Sequence, residues 1–194
     1  PVLEKSLSEI VKRHEILRTT FISNSQKEPV QKINASQKIS LPVVDLQGLQ
    51  VSESIFKKIV KKLVRDAYES PFDLTQTLLR LSLIKLKQFE HILLITTHHI
   101  VSDRWSVGVF LRELSQLYNA FWNGESSPLN ELPIQYGDFA IWQRQWLQGE
   151  VLENQTNYWK QKLNNLSVLE LPTDRKRLPV PSYKGSHFPL SLSQ

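Results

Sequence analysis

The side chains best suited to chemistry sit together mid-chain, in His98-His99-Ile100-Val101-Ser102-Asp103-Arg104-Trp105-Ser106. A neutral imidazole near pH 7 accepts a proton from an attacking amine or hydroxyl. The nearby Asp103 can orient a ring or hold the loop. On an extended backbone, neighbouring side chains point to opposite faces. His98 and His99 therefore cannot both face one substrate, and one is expected in a cleft with the other turned into the protein. Each residue also has a plain alternative. A histidine ending a strand is often structural, and an aspartate ahead of a helix is often just its N-cap. A metal site is disfavoured by five His in all, no Cys, and the divergence of the adjacent pair.

Two regular elements must hold this stretch. Ile92-Leu93-Leu94-Ile95 is a continuous apolar run and reads as a central strand buried on both faces. Val107, Phe110, Leu111, Leu114, Leu117, Tyr118, Phe121 and Trp122 form one face of a helix, ended by Asn123-Gly124 and the turn residues up to Pro128. A loop between such elements is fixed at both ends, which suits a reaction centre.

Upstream, Leu3, Leu7, Ile10, Val11, His14 and Leu17 predict a helix over 2–18. Strands are expected at 19–22, 30–33 and 41–46. Ser52 is the expected N-cap of the next helix. The alternation over 79–87 slips in phase between Leu83 and Ile84, which implies a bulge or burial on both faces. Helices are expected at about 136–148 and 151–163. A tail carrying Pro172, Pro179, Pro181 and Pro189 reads as a linker. The mixture predicts an α/β layered fold, that is, an α+β layered sandwich.

Composition narrows the function classes. With 40% hydrophobic and 22% charged residues, the chain is of ordinary globular composition. Without Cys there is no disulfide framework, thiolate metal site or cysteine nucleophile. That agrees with a reducing, cytoplasmic location. No apolar run approaches the roughly 18 residues that span a bilayer, so no membrane partner is expected. The net charge is +5. Its densest run, Lys57-Lys58, Lys61-Lys62 and Arg65, is interleaved with apolar residues at helical spacing. It reads as a solvated helix face rather than a nucleic-acid site, and an acidic partner protein would suit it equally well. The absence of Met, with Pro1 at the start, predicts an internal segment of a longer polypeptide.

The central stretch resembles the His-His-x-x-x-Asp-Gly motif of condensation domains in nonribosomal peptide synthetases. Two further elements follow that family's order. Arg13-His14-Glu15-Ile16-Leu17-Arg18-Thr19-Thr20-Phe21 is similar to its Arg-His-Glu-x-Leu-Arg-Thr-x-Phe element. Tyr136-Gly137-Asp138-Phe139-Ala140-Ile141-Trp142 is similar to its Tyr-x-Asp-Phe-Ala-x-Trp element. The resemblance implies a chloramphenicol acetyltransferase-like lobe, with a central mixed sheet and flanking helices, paired with a second lobe. It implies residues 1–168 as the N-terminal lobe, lacking its first motif, and 169–194 as the interlobe linker and start of the second lobe. The implied reaction is peptide-bond formation between an upstream acyl thioester and a downstream aminoacyl thioester. Both would be carried on phosphopantetheine arms of partner carrier domains, alongside an adenylation domain, with no cofactor bound directly. By motif position His99 lies nearest the chemistry, as general base or to position the amine. Asp103 would be structural, paired with Arg13 or else Arg18. His98, Trp142 and Ser106 would be supporting residues. For Arg13 the plain alternative is a solvated helix-end charge, and for Trp142 it is packing beside Phe139 and Trp146.

The main departure is Arg104, where the family has Gly. Glycine serves where the backbone needs positive φ or close approach, so Arg104 is expected to strain the loop or project into the tunnel. The resemblance implies an active site formed between two lobes, of which this stretch supplies one, so the isolated chain is expected to show no condensation. Two other functions stay open. One is a non-catalytic carrier-docking module with a degenerate loop. The other is a coenzyme A-dependent acyltransferase, although in those enzymes the His motif lies near the C-terminus. Epimerisation domains share the His motif, but Trp105-Ser106-Val107-Gly108 is more similar to the condensation branch.

Overall fold

The computed structural model describes residues 1–176, 179–180, 185 and 189–191. Pro181, part of the expected linker, lies outside the described residues. The chain forms two compact units, 1–147 and 148–194.

The first unit is built on helix α1 (Val2–Arg13), whose Leu7, Ile10 and Val11 are buried. It packs against helix α3 (Arg104–Trp122). Helix α1 stops short of its expected end at 18. His14 takes an extended backbone, φ −98° and ψ 99°, and Glu15–Arg18 form a separate 3-10 turn. Long-range bonds explain the stop. Gln135 Nε2 donates to the Arg13 carbonyl at 2.9 Å, and Glu15 N donates to Gln135 Oε1 at 3.1 Å. Backbone groups held this way are withdrawn from helix continuation.

Strands β1 (Thr19–Ser23) and β2 (Pro29–Ile33) pair antiparallel, Thr19 opposite Ile33. The Asn24 side chain shapes their turn by accepting from Gln26 N and Glu28 N, each at 2.9 Å. A second, mixed sheet runs β3 (Val43–Asp45), β4 (Leu79–Lys87), β5 (Glu90–Thr97). The β3–β4 pair is parallel and β4–β5 antiparallel. A parallel pair needs a long crossover, which contains helix α2 (Glu53–Glu69), capped by Ser52 as expected.

Two expectations need correction. The central strand among the described residues is β4, not β5. Ile92–Ile95 are only half-buried, because an apolar run does not specify how many neighbours a strand acquires. The β4 irregularity falls between Lys85 and Lys87 rather than at Leu83 and Ile84, and Ile84 is simply buried.

On α3 the buried residues are Glu113, Leu114, Leu117 and Ala120. Val107, Leu111 and Trp122 of the expected apolar face stay exposed. Gly124, at φ 79°, supplies the left-handed residue just past the helix end. Helix α4 (Tyr136–Trp146) completes this unit. The core gathers Leu7, Ile10, Leu17, Leu79, Leu114 and Leu117. The second unit contains helix α5 (Gly149–Lys162).

Candidate active site

The loop after β5 is tied down by its own backbone. His98 N donates to the Leu78 carbonyl and Val101 N donates to the His98 carbonyl, both at 3.1 Å. Thr97 and Ser102 share a hydroxyl hydrogen bond of 2.7 Å. His98 Nδ1 accepts from Ile100 N at 3.0 Å, and Phe72 meets its ring edge-on, 6.0 Å between centroids. His98 is thus a half-buried, pinned ring. His99 is exposed, and its ring makes no hydrogen bond among the described residues. The two imidazoles diverge as strand geometry requires.

Asp103 is the N-cap of α3. Its Oδ1 accepts from Ser106 N at 2.8 Å and from the Ser106 hydroxyl at 2.6 Å, and Asp103 N donates back to Ser106 Oγ at 3.3 Å. The Ser106 hydroxyl, followed by the Ser106 N–H, holds the Asp103 carboxyl below the usual carboxylate range, with a minor contribution from the His99 charge. Ser106, expected as a supporting residue, is the other half of this reciprocal cap.

The expected pairing of Asp103 with Arg13 or Arg18 is not formed. Arg13 Nε donates to Glu113 Oε1 at 3.2 Å, and its guanidinium also reaches the Asn130 carbonyl. Arg18 donates to Glu15 Oε1 at 3.0 Å and to the Asn34 carbonyl at 2.5 Å, and its Nε is buried without a partner. Both arginines are committed to braces around the end of α1. Arg13 is also not the solvated charge its position allowed, being 14% exposed. Trp142 does pack between Phe139, 5.7 Å away, and Trp146, 5.5 Å away, yet it remains about half exposed.

Arg104 is the first residue of α3, and its φ is not positive. Among the described residues only Lys27 and Asn165 are non-glycine positions with positive φ. The expected backbone strain is therefore absent, because the first turn of a helix accepts an ordinary L side chain. The Arg104 side chain is exposed and lines a shallow concavity with Trp105, Gly108, Val109 and Arg112.

A more enclosed cavity of about 240 Å³ lies beside the loop. Its walls are mostly apolar, including Leu17, Ile95, Val101, Trp105 and Phe110; its polar lining groups are His14, Thr97, Ser102 and Ser106. His14 Nε2 lies 2.6 Å from Glu113 Oε2. Glu113 is the one buried charged side chain among the described residues. Neither stands out as a site residue in the sequence, where His14 reads only as part of the first helix and of the Arg13–Phe21 element and Glu113 is not singled out. The available signal was a carboxylate on the inward face of α3, three residues after Phe110 and four before Leu117. Among the described residues no group of three His, Asp or Glu side chains is placed to hold a metal ion, and no helix is long and apolar enough to cross a membrane.

A mixed sheet flanked by helices, with a histidine pair at a strand end and a capped helix after it, defines an α/β lobe of chloramphenicol acetyltransferase-like fold. The Condensation domain profile matches residues 1–194, and the chain belongs to that family. It is 47% identical over 191 residues to malpinin synthetase of Mortierella alpina, covering 97% of this chain and 2% of that protein. It is 41% identical over 186 residues to chondramide synthase of Chondromyces crocatus, covering 95% of this chain and 5% of that one. The chain thus spans only a few per cent of the length of these relatives. Among solved structures, the complex of the X-domain and OxyB from teicoplanin biosynthesis superposes with a TM-score of 0.80 at 31% identity, covering 93% of this chain and 39% of that chain.

Proposed function

We propose that this chain is the N-terminal lobe (1–168) and the start of the interlobe connection (169–194) of a condensation domain. The domain joins an upstream acyl or peptidyl thioester to a downstream aminoacyl thioester. The downstream amine attacks the upstream carbonyl; a C–N bond forms, the C–S bond breaks, and the released thiolate takes up a proton. Both substrates ride on phosphopantetheine arms of carrier domains, with an adenylation domain in the same cytoplasmic synthetase. The observation that carries this reading is the division of labour within the histidine pair. His98 is pinned by Ile100 N and Phe72, whereas His99 is exposed and free of hydrogen bonds among the described residues.

In this reading His99 accepts the amine proton or positions the amine. His98 holds the loop that presents it. Asp103 and Ser106 fix the start of α3, Arg13 and Arg18 brace the end of α1, and Trp142 supports α4. In the intact synthetase with both carriers loaded, His99→Ala is expected to lower dipeptidyl-carrier product about 100-fold or more, the scale of a lost acid–base group. Unchanged product would remove His99 from the mechanism.

A second reading, a non-catalytic interaction module, is favoured by Arg104 and by the likeness to an X-domain captured in a complex. Arg104→Gly in the intact protein separates the two. Product gained on restoring Gly supports an impaired enzyme. Persistent inertness, with carrier binding retained, supports the module.

A further inference from the structure

We propose that Phe72 and Arg80 are positioning residues for His99: together they fix the His98 ring, and the His98 ring fixes the backbone that presents His99. The proposal rests on the condensation reading in one respect, the role of His99 in the reaction.

The loop itself supplies the first link. Ile100 N donates to His98 Nδ1 at 3.0 Å, and Val101 N donates to the His98 carbonyl at 3.1 Å. Both bonds close over His99, so the turn they form sets its backbone. One of the two depends on where the His98 ring stands. A ring that swings away leaves Ile100 N unpaired and loosens the turn from which His99 projects. The His99 side chain is exposed and its ring makes no hydrogen bond among the described residues, so its placement depends on that backbone.

Phe72 supplies the second link and Arg80 the third. The Phe72 ring meets the His98 ring at 86°, with centroids 6.0 Å apart, a T-shaped contact. The Arg80 guanidinium lies over the Phe72 ring, 4.0 Å from its centroid. Its Nη1 donates to the Ser70 carbonyl at 2.9 Å and its Nη2 to the Pro71 carbonyl at 2.5 Å. One side chain thus clamps both the ring and the backbone just before it. A planar fork on two carbonyls, with its face on an aromatic ring, suits Arg and not Lys. The residues beyond Phe72 are held as well. Asp73 Oδ1 accepts from Thr75 N at 2.9 Å and from the Thr75 hydroxyl at 2.7 Å, and the Leu74 carbonyl accepts from Phe21 N at 2.8 Å. Arg80 stands on β4 opposite Thr96 of β5, so the clamp is built on the sheet that leads into the histidine pair. Groups that must hold a productive geometry are fixed by neighbours whose own rotamers are locked in this way.

The test uses the intact synthetase with its upstream carrier loaded. The acceptor is a soluble pantetheine thioester of the amino acid that the downstream adenylation domain selects, so kcat and KM separate. Phe72→Leu removes the ring and is expected to lower kcat about tenfold or more, the scale of a small misplacement of a reacting group. KM should stay within about twofold, because no contact to substrate is lost. Phe72→Tyr keeps the ring and should turn over as the wild type does. Arg80→Gln should lower kcat in the same way and add little to Phe72→Leu, since both act through one ring. In a His99→Ala background, Phe72→Leu should leave the residual product unchanged, which a loss of fold would not do. Backbone hydrogen exchange of the peptide containing Ile100, read by mass spectrometry, should quicken in Phe72→Leu and in Arg80→Gln. If Phe72→Leu unfolds, Arg80→Gln carries the same comparison. Wild-type kcat in both variants, a loss that persists in the His99→Ala background, or unchanged exchange at Ile100 overturns the proposal. Product indifferent to His99→Ala, with exchange at Ile100 still quickened by the variants, sinks the catalytic role of His99 and leaves its positioning standing.

Discussion

Glu113 is the residue whose removal should be felt furthest through the first unit. It lies on α3 at 8% exposure and receives Arg13 and His14 from the end of α1 on its two oxygens, at 3.2 and 2.6 Å. A hydrogen bond to a charged group contributes about 1.5–3 kcal/mol, and breaking a buried pair from one side costs about 3–5 kcal/mol. The side chains of Arg13 and His14 are 14% and 21% exposed, and Arg13 keeps the Asn130 carbonyl, so both recover some solvation. Glu113→Ala should therefore destabilise the domain by about 2–4 kcal/mol. Glu113→Gln retains one acceptor without the charge and should cost about half as much. Urea unfolding followed by circular dichroism measures both, with the midpoint moving and the slope unchanged. A double-mutant cycle with Arg13→Ala should show coupling of at least about 0.5 kcal/mol. A loss below about 0.5 kcal/mol for Glu113→Ala, or additive single losses in the cycle, would refute the claim that this carboxylate clasps α1 to α3.

Three other outcomes follow from the same geometry. Leu117, fully buried on α3, should cost about 2–5 kcal/mol when changed to Ala, read from the urea midpoint; a near-neutral result would mean that the α1–α3 contact collapses around the gap. The Asp103 carboxyl is held below its ordinary range in the folded state, so the stability it adds is complete above roughly pH 4 and drains away as the pH falls through its folded-state titration. Asp103→Asn should flatten that acid-limb dependence in melts compared from about pH 2 to about pH 5, and an unaltered dependence would disprove the assignment. Arg104→Gly should change stability by no more than about 0.5 kcal/mol, since glycine's poorer helix propensity is offset by removing a cation from a helix N-terminus; a shift of about 2 kcal/mol would expose strain that the backbone does not show.

Much of the local architecture could be read from the residues in order. The Ser52 cap, the Gly124 stop and the Asp103 cap of α3 all depend on groups within a few positions of one another. Divergence of His98 and His99 follows from the alternation of an extended backbone. Even the family motifs are contiguous strings. The errors have a common cause. Helix α1 ends early because Gln135, some 120 residues away, holds the backbone of Arg13 and Glu15. Arg13 turns to Glu113, a hundred residues along the chain, rather than to Asp103. The central strand is β4 because β3 reaches it by a crossover, which the composition of β5 does not encode. Periodicity and capping are properties of neighbours in sequence, set by rise per residue and by which backbone groups lie within reach of a short side chain. The partner of a long, charged side chain is chosen only when α1 meets α3, by whichever opposite charge the packing leaves buried beside it.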